Sequence, residues 1–334
     1  MNRLFNLFSS PELYPLKVDF ARQVIRFVRM SEESYRHSVF LDTRTRSIGD
    51  QTYEIRLDDI LLAAATQSRP GRIHYIFHTT FCCSTLLARY FELLPSCLVL
   101  KEPMLLTQLA LTSVTSVRCW EEVFDVCVRL LARVYTPHQT VIIKPHEPCN
   151  ALGEKLLGHD NEASVTFLHT SLRSFLLSIL KSDERRLWVR NRLRNPVEIA
   201  AYPGSDRLHL DNLTDSEAAA YLWLLNCFLC KQLSSGKYRS RVLVINGERV
   251  ADSAGEVVSA IAALCQLNLD FQQLERLLTH SSAGKYSKDL SKSYDANSRR
   301  QEMAELEIRF GAEADRGESW AEHFCSLHGL PLQF

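Results

Sequence analysis

Ser84 and Thr85 stand side by side at the head of an apolar helical run, STLLARYFELL (84–94), directly after the loop HTTFCC (78–83) and the β-rich run IHYIF (73–77). Two hydroxyls at the first turn of a helix add donors to backbone N–H groups that have no intrahelical acceptor. The helix dipole there favours an anion. That combination suits a phosphate or sulfate group. The bland alternative is an ordinary strand-to-helix turn capped by small residues, and the usual phosphate-loop pattern GxxxxGK[ST] is absent, since 78–85 holds neither Gly nor Lys. Further along, Glu102 and Lys144 sit at the ends of apolar runs, CLVLKEP (97–103) and TVIIKP (140–145). A carboxylate can take a proton and an ammonium can neutralise a developing negative charge. Glu102 can equally pair with Lys101 or cap a helix. His78 and His169 each close a strand, where either touches an anion, acts as a base in place of Glu102, or is a surface residue.

These residues need elements to hold them. Short apolar runs at 73–77, 97–103, 140–145, 164–170 and 241–247 read as strands, and helical spacing recurs between them, at 119–134, 171–181, 213–233 and 251–267. Ser171 is the expected cap of the helix over 171–181, and TDSE (214–217) an N-cap with an acidic first turn. Strands alternating with helices predict an α/β fold, P-loop-like, three-layer α/β/α with a mainly parallel central sheet. Ligands of such sheets bind beyond the carboxyl ends of the strands, where the loop 78–83 falls. The expected partition is an N-terminal extension over 1–70, with a helix around Asp19–Met30, and an α/β domain over 71–334 with helical inserts, a lysine-bearing tail and a last helix near Arg299–Phe310.

Composition narrows the class. The 334 residues are 46% hydrophobic, enough for a substantial core, and 39 basic side chains balance 39 acidic ones, so nothing global steers the chain to nucleic acid. Ten cysteines are scattered through mostly apolar runs. They point to reduced thiols and a cytoplasmic setting. The single CxxC at Cys227 and Cys230 lacks a second half and reads as core rather than a metal site. No run of about eighteen apolar residues exists, and no membrane insertion or export is expected.

The segment FCCSTLLAR (81–89) resembles the 5′-phosphosulfate loop of sulfotransferases, a Lys/Arg-Ser-Gly-Thr-Thr-type stretch leading into an apolar helix. Cys83 takes the Gly place, and Ser84 and Thr85 the hydroxyl places. Other elements follow in the family's order. KEP (101–103) resembles its Glu-Pro element, IIKP (142–145) its strand-end Lys, LHTSLRSFLLSILK (168–181) its 3′-phosphate element, and VINGERV (244–250) its late strand-to-helix element. The resemblance covers about 73–270.

It implies 3′-phosphoadenosine 5′-phosphosulfate as co-substrate, with no metal. The implied reaction is sulfuryl transfer to a hydroxyl or amine of a small-molecule, peptide or sugar acceptor. Thr80, Phe81, Cys82, Cys83, Ser84 and Thr85 would cradle the phosphosulfate. Glu102 would be the base, Lys144 the charge stabiliser and His78 an auxiliary. Ser178 and Arg173 would hold the 3′-phosphate, Arg173 replacing the strand-end Arg whose position is Thr170.

Phe81 falls where the family carries its basic residue, which leaves open a catalytically inactive nucleotide-binding module. A P-loop kinase or NTPase is disfavoured without the loop Lys and a Walker B run. The basic run Arg185, Arg186, Arg190, Arg192 and Arg194 is either a solvated helix face or a contact for the donor's phosphates. Lys285, Lys288 and Lys292 are candidates for a closing loop.

Overall fold

In a computed structural model of the chain, residues 7–65, 71–112, 119–194, 202, 205, 208–280, 296–330 and 332 are described. Two sheets organise it. The first is a three-stranded antiparallel meander of β1 (Leu13–Asp19), β2 (Val24–Arg29) and β3 (Thr52–Arg56). The second is five-stranded and parallel throughout, in the order β5-β6-β4-β7-β8, with β4 Arg72–His78, β5 Cys97–Lys101, β6 Thr140–Lys144, β7 Ser164–His169 and β8 Val242–Asn246. This is the expected α/β class with a mainly parallel central sheet.

The meander replaces the helix expected over 19–30. VIRFVR alternates from Val24 to Phe27, with Ile25 and Phe27 buried and Val24 and Arg26 partly exposed, before the buried Val28. Its period is 2, and Gln23 at φ 53° makes the turn that sends it back along β1. After β2 come α1 (Glu32–His37) and, beyond β3, α2 (Leu57–Ala64). The meander's Tyr14, Ile25 and Phe27 share one continuous core with Tyr75, Phe77 and Phe167 of the parallel sheet.

Alternation along the central strands makes the layers. Tyr75, Phe77, Val141, Ile143 and Phe167 face a core completed by α4 (Met104–Leu111), α5 (Trp120–Leu131) and α6 (Gly153–His159). Ile76, Ile142, Leu168 and Ile245 face the opposite way. They meet α3 (Ser84–Glu92) and, past the short α10 described below, α11 (Ala254–Leu264) and α12 (Phe271–Thr279). The third core gathers α7 (Leu172–Leu180), α8 (Asp183–Leu193), α9 (Asp215–Ser235) and α13 (Ala296–His328). Ser171 caps α7 by accepting from Ser174 N, and Thr214 with Glu217 forms a full capping box on α9. The helix expected over 251–267 is divided at Ser253 (φ −138°, ψ 47°) into α10 (Arg249–Asp252) and α11. The last helix is far longer than the stretch 299–310, at 33 residues. Its Gly317 does not end it, because a Cβ there would lie 3.0 Å from Leu176 Cδ1 and from Ser216 O, so close packing selects glycine. Among the described residues, no helix is long and apolar enough to cross a membrane.

Candidate functional site

Neighbouring strands β4 and β6 are followed by segments on opposite faces of the sheet: β4 by α3, β6 by the α6 side. Such a divergence opens a crevice beyond the strand ends. A cleft of about 490 Å³ lies there, bordered by His78, Thr80 to Thr85, Glu102, Lys144 and His146, with Phe40 on one side and Glu184, Arg185, Trp188 and Arg299 on the other.

The loop after β4 is tightly determined. His78 is buried, donates from Nε2 to the Pro145 carbonyl at 3.0 Å, and accepts the Thr80 N–H on Nδ1 at 3.0 Å. This places both ring nitrogens on backbone groups, so His78 pins the loop. Thr80, Phe81 and Cys83 have φ of 68°, 51° and 62°. Left-handed backbone at non-glycine residues costs about 1–2 kcal/mol each. Gly247, in the turn after β8, closes on the loop: a Cβ there would meet the Cys82 carbonyl oxygen at 2.1 Å. Cys82 is buried, with Sγ toward the Leu168 carbonyl (3.6 Å), and burial pushes its thiol up to about 11. The loop feeds α3 with no side-chain cap. Ser84 and Thr85, in the first turn of that helix, border the cleft. The Thr80 hydroxyl is buried without a partner.

Glu102 and Lys144 meet directly. Lys144 Nζ donates to Glu102 Oε1, the Glu102 N–H donates to the Lys144 carbonyl at 2.6 Å, and Glu102 itself sits at φ 51°. The lysine side chain is 2% exposed and the glutamate 21%. Lys144 Nζ also lies 5.7 Å from the Phe40 ring centroid. The alternative pairing with Lys101 does not occur. Lys101 turns to Glu92 and to the Arg36 carbonyl. His146, half-buried on the same cleft wall, is held below its ordinary pKa by desolvation, although Glu102 and Glu147 pull the other way.

A buried polar chain braces the cleft from behind. Arg192 Nε donates to Glu147 Oε2 at 2.7 Å, Asn226 Nδ2 to Glu147 Oε1 at 2.8 Å, and Asn150 Nδ2 to Asn226 Oδ1 at 2.6 Å and to the His78 carbonyl at 2.9 Å. It ties α8 and α9 to the root of the loop.

Arg173 and Ser178, expected to hold a 3′-phosphate, are not among the residues that line this cleft. Arg173 binds Glu307 (3.1 Å), Asp315 (2.5 Å) and Glu318 (2.8 Å) on α13, and the Glu307 contact leads in raising its pKa. Three carboxylates on a helix longer than expected claim this cation. Ser178 is buried in α7, away from the cleft lining, and its carbonyl accepts Arg185 Nη1 at 2.6 Å. Thr170 is buried with its hydroxyl unpartnered. His169 borders a separate cleft of about 580 Å³ with Trp223 and Asn246, and burial lowers its pKa.

The basic run is not one solvated face. Arg185 turns to the cleft, Arg186 and Arg190 bind Asp215, and Arg192 is buried on Glu147. Lys285, Lys288 and Lys292 lie outside the described residues. Phe40, His146, Glu184, Trp188 and Arg299 were not singled out from the sequence as parts of the cleft. Only the spacing of Arg185 and Trp188, three apart behind the Ser182 cap, could have signalled a shared face.

No protein-family model matches this sequence, and no curated protein matches it significantly. Solved structures do resemble it. A sulfotransferase domain from the curacin biosynthetic pathway is 13% identical with a TM-score of 0.41, over 73% of this chain and 99% of that one. A sulfotransferase from Alicyclobacillus acidocaldarius is 14% identical with a TM-score of 0.40, over 79% and 98%. Mouse sulfotransferase SULT7A1, solved in complex with PAP, is 12% identical with a TM-score of 0.35, over 77% and 90%. Likeness at this level assigns no role to any residue of the cleft.

Proposed function

We propose that this chain binds 3′-phosphoadenosine 5′-phosphosulfate in the cleft beyond β4 and β6 and transfers its sulfuryl group to a hydroxyl or amine acceptor. One observation carries the reading. The phosphate-sized loop with its uncapped helix, a carboxylate and a buried ammonium border the same cavity at the switch point of the sheet. Sulfuryl transfer asks little covalent work of a protein beyond placing groups in line and neutralising charge. Loop N–H groups, Ser84 and Thr85 hold the 5′-phosphosulfate. The acceptor oxygen or nitrogen attacks sulfur while the bond from sulfur to the 5′-phosphate oxygen breaks. Lys144 stabilises the charge that collects on that oxygen. Glu102, held by Lys144 through Oε1, receives the acceptor's proton on Oε2.

Phe81 favours a second reading, a nucleotide-binding module without turnover. It stands where the resemblance expects a cation, and loss of such a charge costs about 10²–10³ in rate. Thermal unfolding in the presence of 3′-phosphoadenosine 5′-phosphate or ATP tests both. A ligand at a hundred times its Kd adds about 2.7 kcal/mol to stability. A shift with the 3′-phosphorylated nucleotide and none with ATP supports the cleft as a donor site; no shift with either removes both readings. Turnover of labelled donor, abolished in Glu102→Gln, then marks the enzyme. Binding without turnover marks the module.

A further inference from the structure

Phe81 denies the loop a charge of its own, yet two guanidinium groups that border the cleft converge on it. Arg185, in the first turn of α8, places Cζ 4.3 Å from the Phe81 ring centroid. Arg299, in the first turn of α13, donates from Nη2 to the Phe81 carbonyl at 3.1 Å and from Nη1 to Cys83 Sγ at 3.2 Å. The Phe81 ring is wedged in place by Trp188 (centroids 6.2 Å, 86°) and Phe175 (6.3 Å). Both arginines share the cavity with Ser84, Thr85 and Lys144. Among the described residues that line the cavity, Lys144, Arg185 and Arg299 stand against Glu102 and Glu184, three cations to two carboxylates. A guanidinium stacks on an aromatic face and presents a planar fork that matches two oxygens of a phosphate or sulfate.

We propose that Arg185 and Arg299 form a two-guanidinium clamp, with Phe81 as its platform, that binds a phosphate- or sulfate-class anion against the head of α3. The clamp supplies from two distant helices the charge that the loop sequence omits. It rests on the reading of this cleft as a donor site and deepens it, since it names which side chains meet the anion.

The test is calorimetric titration of the full chain with 3′-phosphoadenosine 5′-phosphate and with inorganic pyrophosphate at one fixed ionic strength. Arg185→Ala and Arg299→Ala should each weaken nucleotide binding about tenfold, and the double variant about a hundredfold. Phe81→Lys placed in the double variant should recover at least tenfold, because it returns a cation to the loop. Arg185→Gln and Arg299→Gln carry the same expectation where an alanine variant fails to fold. Nucleotide binding by the double variant within twofold of the parent overturns the clamp and leaves the donor site standing. Pyrophosphate binding that the double variant loses, with the nucleotide bound no tighter than pyrophosphate, supports the clamp while the nucleotide reading fails. Parent protein that binds neither probe overturns both.

Discussion

Neutralising Glu102 should harm the fold more than removing Lys144, and the size of the difference follows from burial. The Lys144 side chain is 2% exposed, whereas Glu102 is 21% exposed at the cleft wall. Glu102→Gln leaves an ammonium in the interior with only a neutral partner. Breaking a buried pair from one side costs about 3–5 kcal/mol, and the exposure of the glutamate puts this case near the lower figure. Lys144→Met leaves a carboxylate that water in the cleft reaches, a loss of about 1–2 kcal/mol. An unfolding entropy of about 2.1 cal/mol/K per residue over 334 residues is roughly 0.7 kcal/mol/K. Glu102→Gln should then lower Tm by about 4 °C and Lys144→Met by about 2 °C. The double variant holds no orphan charge and should fall no further than Glu102→Gln alone. Scanning calorimetry of the four proteins gives the cycle. On the proposed donor reading, 3′-phosphoadenosine 5′-phosphate should also rescue Glu102→Gln more than it stabilises the parent, because its phosphate takes the place of the missing counter-ion. Additive losses, or Lys144→Met falling below Glu102→Gln, would refute the buried-pair argument.

Acid should weaken the protein through His74. This residue is fully buried, with Nδ1 2.8 Å from Ser164 Oγ and Nε2 2.9 Å from Thr166 Oγ1, and burial lowers its pKa to about 3. The unfolded chain takes up that proton near pH 6.5, so the His74 contribution is complete above 6.5 and falls, by up to about 1.4 kcal/mol per pH unit, as pH drops from 6.5 toward 3. Denaturant titrations between pH 7.5 and 5 should show the fall, and His74→Gln should flatten it; an unchanged slope would discount His74. In the loop, Cys83 at φ 62° gives a substitution order. Cys83→Gly relieves about 1–2 kcal/mol of left-handed strain against about 0.5–1 kcal/mol of added chain entropy, so its Tm should match or exceed the parent's. Cys83→Val, branched at Cβ, should melt below both, and the reverse order would mean that the left-handed geometry is not held.

The parallel sheet was legible because each central strand is a short apolar run; β4, β6 and β7 begin and end within two residues of the runs at 73–77, 140–145 and 164–170. That Glu102 and Lys144 fall at one edge of the sheet was legible for a related reason. Parallel strands in register bring their carboxyl ends to one edge, and Lys101 pairs with Lys144 in the ladder, so the next residue, Glu102, arrives beside that lysine. The hairpin of β1 and β2 was hidden, because Val24, Ile25, Phe27 and Val28 satisfy a helical stripe as well as an alternating one over so short a span. The ion pairs of Arg173 were hidden because they depend on α13, whose Glu307, Asp315 and Glu318 stand 134 to 145 residues away. Arg299 escaped notice likewise, 218 residues from the carbonyl it holds.

The conformation of the loop is not set by its own residue types. Absence of glycine from 78–85 counts against a phosphate-binding turn if residue type alone must permit positive φ. Yet Thr80, Phe81 and Cys83 all adopt it. The conformation is imposed from outside. His78 ties the Thr80 N–H to the Pro145 carbonyl through its ring, Asn150 holds the His78 carbonyl, and Gly247 gives up its side chain so that the Cys82 carbonyl can approach. Strained backbone persists where its surroundings over-determine it. The glycine that the loop lacks is thus present in the structure, on the turn after β8 that presses against the loop. A glycine inserted at Cys83 would relax the turn without being needed to form it.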